Sequence, residues 1–81
     1  MRTVTLYGRA GCHLCDDARA ALQRIRATVP FVLEEIDIEA DDALLRRYLE
    51  RIPVIALDGE ELFDFFVDER ELESRLRGTV S

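Results

Sequence analysis

The chain has 81 residues, which predicts one domain spanning residues 1–81 and leaves no room for a second hydrophobic core. Hydrophobic residues make up 48% and charged residues 35% of it, a balance typical of a folded globular protein rather than a disordered or fibrous one. The net charge of −6 argues against nucleic acid as a partner, because phosphate backbones bind to basic surfaces.

Membrane insertion and secretion are both disfavoured by the distribution of apolar residues. No apolar run reaches the roughly eighteen residues that a membrane-spanning helix needs. The apolar stretch near the N-terminus is only as long as a strand and is rich in threonine, so we predict no signal peptide. We therefore expect a cytoplasmic protein, in which two cysteines are more often reactive or metal-bound than joined in a structural disulfide.

The first predicted elements are a strand and a long helix. Residues 3–7 alternate polar and apolar side chains and include β-branched and aromatic ones, which predicts a strand. Gly8 and Gly11 bracket the loop that follows. From Leu14 onward apolar residues recur at steps of three and four, which indicates an amphipathic helix that Pro30 ends.

A second strand and a short helix are predicted next. Residues 31–38 form the strand, with Val32 on the same phase as the isoleucines that follow it. Asp41 or Asp42 is expected to cap the helix. The apolar positions of that helix are expected to form its inner face: Leu44, Leu45, Tyr48 and Leu49.

A hairpin is predicted in the second half of the chain. Residues 52–57, interrupted by Pro53, indicate a third strand, and residues 62–66 indicate a fourth. Asp58-Gly59 is the strongest hairpin-turn signal in the sequence, so the two strands should pair antiparallel. The phenylalanines of the fourth strand fall in both phases, and we expect them to fill both faces of the sheet, with a hydrophobic substrate groove as the alternative: Phe63, Phe65 and Phe66.

The last predicted element is a helix from Asp68, which forms a variant capping box with Glu71, to Gly78. The element order is then β-α-β-α-β-β-α. The first β-α-β unit requires parallel strands joined by a right-handed crossover, whereas the hairpin adds an antiparallel pair. The predicted fold is therefore a three-layer α/β/α arrangement around a four-stranded mixed sheet.

The two cysteines of the chain, Cys12 and Cys15, flank its single histidine, His13, where the first strand gives way to the first helix. Unpaired backbone N–H groups at a helix N-terminus carry positive potential, which stabilises a thiolate. Thiols in such motifs have pKa values lowered from about 8.5 to roughly 3.5–7.5. We interpret Cys12 as a nucleophile that attacks disulfides and Cys15 as the thiol that resolves the resulting mixed disulfide.

Three other roles are compatible with the two cysteines. A structural disulfide would close a loop of only about four residues and contribute about 2 kcal/mol, so this spacing suits a staple poorly. A zinc site within one chain lacks a second ligand pair, and we assign no metal ligands, although an iron–sulfur or metal carrier bridging two chains through Cys12 stays open. The third alternative is a non-catalytic interaction module with idle thiols.

Arg9 and His13 are candidate helpers of the cysteines. A protonated His13 would favour a thiolate at Cys12, and Arg9 would add positive charge three residues before it. The alternative for each is a solvated surface side chain. We expect Tyr7, at the end of the first strand, to serve packing rather than chemistry.

The segments YGRAGCHLC, RIPVI and LDGEEL, in this order and followed by a helix, resemble glutaredoxins of the thioredoxin superfamily. The chain is most similar to short bacterial glutaredoxin-like proteins with a Cys-His-Leu-Cys centre, and the resemblance covers nearly all of it. It implies a redox-active Cys12–Cys15 disulfide. It also implies that Pro53 is a cis proline facing the cysteines and that the backbone of Ile52 pairs with an extended substrate.

Two departures from the family pattern concern the substrate. Glutaredoxins usually carry Cys-Pro-Tyr-Cys, whereas this chain has His13 and Leu14 between its cysteines. The family's Gly-Gly pair, which lets glutathione lie close, is replaced by a stretch that includes Phe63, Asp64 and Phe65. The bulky rings would obstruct the tripeptide, and Asp64 would repel its carboxylates.

The resemblance implies that the partners are glutathione or proteins that carry thiols or disulfides. We expect no tightly bound cofactor, with glutathione as a candidate co-substrate. The substrate would be a disulfide of glutathione or of a protein, and a thioredoxin-reductase-type enzyme is a candidate reductant. We expect a monomer that binds neither nucleic acid nor membrane.

Overall fold

The computed structural model describes residues 1–78 and contains the elements in the predicted β-α-β-α-β-β-α order. The strands are β1 Thr3–Gly8, β2 Val32–Asp37, β3 Val54–Leu57 and β4 Glu60–Asp64. The helices are α1 His13–Thr28, α2 Asp42–Tyr48 and α3 Glu69–Leu76, with a 3₁₀ turn at Ile38–Ala40 before α2. Within residues 1–78, none of the helices has the length and apolar character needed to cross a membrane.

β1 lies inside the sheet, whose strand order is β2-β1-β3-β4. It pairs in parallel with β2, with Thr3 opposite Val32, as the β-α-β pattern predicts. It pairs antiparallel with β3, with Tyr7 opposite Val54, and β3 and β4 form the predicted hairpin. Because β1 and β3 run in opposite directions, the end of β1 and the start of β3 meet at the same end of the sheet.

Helices cover both faces of the sheet. Leu6 of β1 belongs to an apolar core with Leu22 of α1 and Leu72 of α3. Tyr7, whose side chain points to the opposite face of the strand, packs with Tyr48 of α2, and their rings stack with centroids 4.5 Å apart. This arrangement confirms the predicted three-layer fold and the packing role of Tyr7.

Each helix begins at a side-chain cap. The Asp41 carboxylate accepts the Ala43 N–H at 2.7 Å, and the Asp68 carboxylate accepts the Glu71 N–H at 3.1 Å, as predicted. The cap of α1 is a sulfur atom, that of Cys12. The three helix starts are therefore fixed by local side-chain contacts as well as by packing.

The end of the hairpin differs from the prediction. β4 ends at Asp64, so Phe65 and Phe66 lie outside the sheet with 49% and 66% of their surface exposed, and Phe63 alone of the three packs against the core. Phe65 has φ +70°, and the Phe66 N–H donates to the Asp64 carbonyl at 2.9 Å, so the chain leaves the sheet in a three-residue γ-turn. The expectation that all three rings fill the sheet is therefore wrong.

Two smaller expectations are also wrong. β3 begins at Val54, which leaves Ile52 and Pro53 in the loop before it. Leu49, which was expected on the inner face of α2, lies one residue beyond the end of that helix and is exposed. These positions lie at element ends, where hydrophobic phase is a weak guide to burial.

Candidate functional site

The candidate site lies at the end of the sheet where β1 finishes and β3 begins. The loop into α1, the loop into β3 and the turn after β4 all meet there. Continuing the β1–β3 register beyond Tyr7 and Val54 brings Gly8 opposite Pro53. The peptide bond between Ile52 and Pro53 is cis, as the family resemblance implies.

Cys12 is the N-cap residue of α1 and is partly exposed. Its Sγ accepts a hydrogen bond from the Cys15 backbone N–H at 3.2 Å, and its carbonyl accepts the Asp16 N–H at 3.1 Å. The sulfur thus lies at the positive end of the helix, against an amide donor, in the position where N-cap side chains ordinarily satisfy the first turn. This environment suits a sulfur that carries negative charge.

Cys15 is buried, one turn inside α1. Its pKa is raised to about 11, first because burial disfavours the thiolate and second because its side chain hydrogen-bonds with Cys12. The Arg9 backbone N–H and the Arg19 charge act in the opposite direction. At pH 7 the Cys15 side chain is therefore a protonated thiol.

We expect iodoacetamide at pH 7 to alkylate Cys12 well before Cys15, because Cys15 is both shielded and almost entirely protonated. The measurement is peptide mass spectrometry on a time course of the folded, reduced protein. The same reaction in denaturant is the control, and there both cysteines should react at similar rates. Alkylation of Cys15 ahead of Cys12 in the folded protein would contradict this description.

Gly8 makes room for the buried thiol. A Cβ at Gly8 would lie 2.9 Å from the Cys15 Sγ and 3.2 Å from the Cys15 Cβ. The φ of Gly8 is outside the left-handed region, so space rather than backbone conformation requires glycine here. Sequence reasoning treated Gly8 only as a loop boundary, although a glycine at the end of a strand often marks a close approach.

Ile52 and Pro53 contribute to the site in different ways. Pro53 is buried and shapes the loop, whereas Ile52 is partly exposed. The Ile52 N–H donates to the Tyr48 carbonyl at 3.0 Å. The Ile52 N–H is therefore already bonded within the chain, and the pairing of the Ile52 backbone with a substrate, which the resemblance implies, stays a prediction.

The turn after β4 is tied to the loop before β3. The Phe65 N–H is shared between the Pro53 carbonyl at 2.8 Å and the Arg51 carbonyl at 3.3 Å. A bulky residue at positive φ costs about 1–3 kcal/mol, and these bonds help to hold it there. Phe65 and Phe66 line a groove of about 190 Å³ together with Leu14 of α1, and the charged residues Asp17, Arg24 and Glu69 line it as well.

Arg9 and His13 occupy exposed positions beside the cysteines. The Arg9 guanidinium lies 3.6 Å from Glu39, while its backbone N–H is the group that acts on Cys15. His13 is the first residue of α1, and its side chain forms no hydrogen bond or ion pair with the part of the chain that the structure describes. A role of either side chain in tuning Cys12 stays a prediction.

A cluster of polar side chains supports the turn from the α2 side. Glu61 accepts hydrogen bonds from Arg51 at 2.7 Å, from the Tyr48 hydroxyl at 2.9 Å and from Arg47 at 3.1 Å. Arg51 also lies 3.4 Å from Asp64, the last residue of β4. Arg51 and then Tyr48, as hydrogen-bond donors, lower the pKa of Glu61.

We expect Glu61→Gln to lower the free energy of unfolding at pH 7 by about 1 kcal/mol, because a partly buried carboxylate loses its charge-assisted bonds. A lowered folded pKa contributes stability above the unfolded value near 4.3 that is lost as the pH falls through the folded value. The difference in the free energy of unfolding between wild type and Glu61→Gln, measured with urea, should therefore disappear at acidic pH. Glu60→Gln, at the exposed neighbouring position, is the control, and its free energy of unfolding should equal that of wild type.

Within residues 1–78, no three His, Cys, Asp or Glu side chains come together in a way that could hold a metal ion. The candidate site offers two sulfur donors, Cys12 and Cys15, which are both free thiols. A structural zinc site needs four ligands, so one bound here would need donors from a second molecule.

Residues 3–77 match the model of the glutaredoxin-like domain family (DUF836). The chain belongs to this family. An uncharacterized protein of Mycobacterium tuberculosis is 30% identical to it, over 88% of this chain and 78% of the relative. The match contains the whole candidate site, from Gly8 to the turn after β4.

Solved structures agree with this family membership. A protein from Nitrosomonas europaea, determined by NMR, is 35% identical with a TM-score of 0.75, covering 95% of this chain and 87% of that one. An X-ray structure of a protein from X. campestris is 36% identical with a TM-score of 0.75, covering 95% and 99%. A mutant thioredoxin from Halobacterium salinarum, 19% identical with a TM-score of 0.68 over 99% and 75%, shows the shared fold alone. The expected thioredoxin-like fold is confirmed.

Proposed function

We propose that the protein is a thiol–disulfide oxidoreductase that reduces disulfides with Cys12 and Cys15. The Cys12 sulfur attacks one sulfur of the substrate disulfide, breaks its S–S bond and releases the first substrate thiol. The Cys15 sulfur then attacks the Cys12 sulfur, which releases the second substrate thiol and leaves a Cys12–Cys15 disulfide. The two electrons come from the protein dithiol, and its two protons end on the released thiols.

The observation that carries this proposal is the unequal environment of the two sulfurs. Cys12 is partly exposed at the positive end of a helix and accepts an N–H, whereas Cys15 is buried with its pKa raised to about 11. A structural disulfide does not require one exposed and one buried sulfur. A nucleophile and a resolving thiol do, because the nucleophile must contact the substrate first and the resolving thiol must react only after the mixed disulfide has formed.

The surroundings of Cys15 also favour the proposed order of steps. Two of the three influences that raise its pKa, the hydrogen bond with Cys12 and the charge of Cys12, depend on a free Cys12 sulfur. Both disappear once Cys12 is bonded to the substrate, while the Arg9 amide and the Arg19 charge remain. Formation of the mixed disulfide thus removes two of the influences that keep Cys15 protonated, while burial, the largest of them, remains.

The proposal also assigns roles to the residues around the cysteines and to a reductant. The Ile52 backbone would pair with the substrate beside Pro53, and the charge of Arg9, with that of His13 when it is protonated, would favour a thiolate at Cys12. The oxidised protein would be returned to the dithiol by glutathione or by a thioredoxin-reductase-type enzyme. The cytoplasm is the compartment in which such a reductant pool is kept.

A single-turnover experiment tests the proposed reaction. The reduced protein, freed of chemical reductant, is mixed with excess bis(2-hydroxyethyl) disulfide, and the thiols released are counted. We expect two thiols per chain, together with a protein that has lost two hydrogens and contains a Cys12–Cys15 disulfide by peptide mapping. Release of no thiol by a correctly folded protein would refute the proposal.

A further inference from the structure

We propose that the groove between α1 and the turn after β4 docks an extended segment of a partner polypeptide, with a large apolar side chain next to the cysteine that Cys12 attacks. This proposal rests on the proposed function and names its substrate class. We call the site the Phe66 groove. It is walled by Leu14 and Ala18 of α1 and by Phe65, Phe66 and Val67 after β4.

The Phe66 groove gathers exposed apolar surface at one place. Among residues 1–78, six large hydrophobic side chains are exposed, and three of them, Leu14, Phe65 and Phe66, line this groove. Exposure of large aromatic rings to water is unfavourable unless another molecule covers them. A cluster of exposed apolar side chains therefore marks an interaction site more often than a single exposed residue does. Phe65 is in addition held at φ +70°, a conformation that bulky residues adopt rarely and mainly at functional sites.

The groove borders the first turn of α1 and the loop before β3, which are the elements beside the proposed catalytic thiols. Leu14, which lines the groove, lies between Cys12 and Cys15 in the chain, and Phe65, which also lines it, donates its N–H to the Pro53 carbonyl. The proposal therefore places the residues next to the substrate disulfide in this groove.

The dimensions and charge of the groove favour a polypeptide segment over glutathione. Its volume of about 190 Å³ is below the roughly 300–1,000 Å³ of sites that enclose a small molecule, so it fits a side chain rather than a whole ligand. Its rim carries Asp17, which has no ion-pair partner among the described residues, and Glu69, which Arg24 neutralises at 2.9 Å. On a chain of net charge −6, this rim disfavours a tripeptide with two carboxylates and accommodates a neutral or basic segment.

The test compares disulfides of two short, end-blocked peptides that each carry one arginine. One has phenylalanine next to the cysteine, and the matched peptide has serine there. Single-turnover rates with the reduced protein are measured for wild type, Phe66→Ser and the control Leu49→Ser, whose exposed side chain lies beyond α2, on the opposite face of the sheet. We expect wild type and Leu49→Ser to reduce the phenylalanine peptide about tenfold faster than the serine peptide, and Phe66→Ser to lose most of this preference.

The other outcomes separate the two proposals. Equal rates for the two peptides in wild type, or faster reduction of glutathione disulfide than of the phenylalanine peptide, would overturn the docking proposal and leave the oxidoreductase intact. Sedimentation that shows a wild-type dimer and a Phe66→Ser monomer would assign the groove to a second copy of the chain instead. Failure to reduce either peptide and bis(2-hydroxyethyl) disulfide would overturn both proposals.

Discussion

Replacement of Cys12 by serine is expected to reduce disulfide reductase activity roughly a thousandfold or to the uncatalysed background. A hydroxyl cannot form the mixed disulfide, and Cys15 cannot take over because it is buried with its pKa raised to about 11. The rate of bis(2-hydroxyethyl) disulfide reduction, with dithiothreitol as the regenerating reductant, measures the loss.

Serine is a well-matched replacement at this position because Cys12 is the N-cap of α1. A serine oxygen can accept the first-turn N–H that the sulfur accepts now, so the free energy of unfolding should change little, whereas Cys12→Ala should lose about 1 kcal/mol of capping. Inactivity of the stable Cys12→Ser protein would then result from the loss of the thiol and not from unfolding. Activity close to wild type in this variant would remove Cys12 from the role of nucleophile.

Gly8→Ala is expected to destabilise the protein by about 1–3 kcal/mol and to slow the resolving step, because the added methyl overlaps the Cys15 sulfur. The Cβ would lie 2.9 Å from that sulfur, and Cys15 is fully buried. Urea unfolding measures the stability, and stopped-flow release of the second substrate thiol measures the resolving step.

A double-mutant cycle with Cys15→Ala isolates this contact. Removing the Cys15 sulfur deletes the atom nearest to the new methyl, so Gly8→Ala should cost clearly less in the Cys15→Ala background than in wild type. Equal costs in both backgrounds would show that Gly8 is needed for some reason other than the thiol. The cycle therefore tests the close approach itself rather than the general sensitivity of β1.

Most of the fold could be predicted because local and long-range signals agree. The alternation of residues 3–7, the Asp58-Gly59 turn and the aspartate caps each point to the element that forms, and the predicted order follows from them. The turn after β4 could not be predicted, since the run of aromatic residues through Phe65 and Phe66 is typical of a strand. The direction of this turn is set by hydrogen bonds from Phe65 to the loop before β3, and a local sequence pattern cannot reveal bonds to a distant segment.

Features of the candidate site that depend on the spacing of residues in the sequence could be predicted, whereas features that depend on contacts between distant segments could not. The positions of Cys12 and Cys15 at the start of one helix follow from the sequence. The need for glycine at position 8 and the engagement of the Ile52 N–H by Tyr48 arise from the approach of separate segments. Sequence motifs therefore located the two candidate thiols, while the contacts around them required the three-dimensional structure.

The most direct measurement of the central claim is capture of the reaction intermediate in the Cys15→Ser variant. With no resolving thiol, a disulfide substrate should leave one half of itself bound to the protein in a stable one-to-one adduct. Intact-mass and peptide mass spectrometry should place that adduct on Cys12, and Cys12→Ser should form none under the same conditions. A folded Cys15→Ser protein that forms no adduct, or a Cys12→Ser protein that forms one on Cys15, would contradict the assignment of nucleophile and resolving thiol.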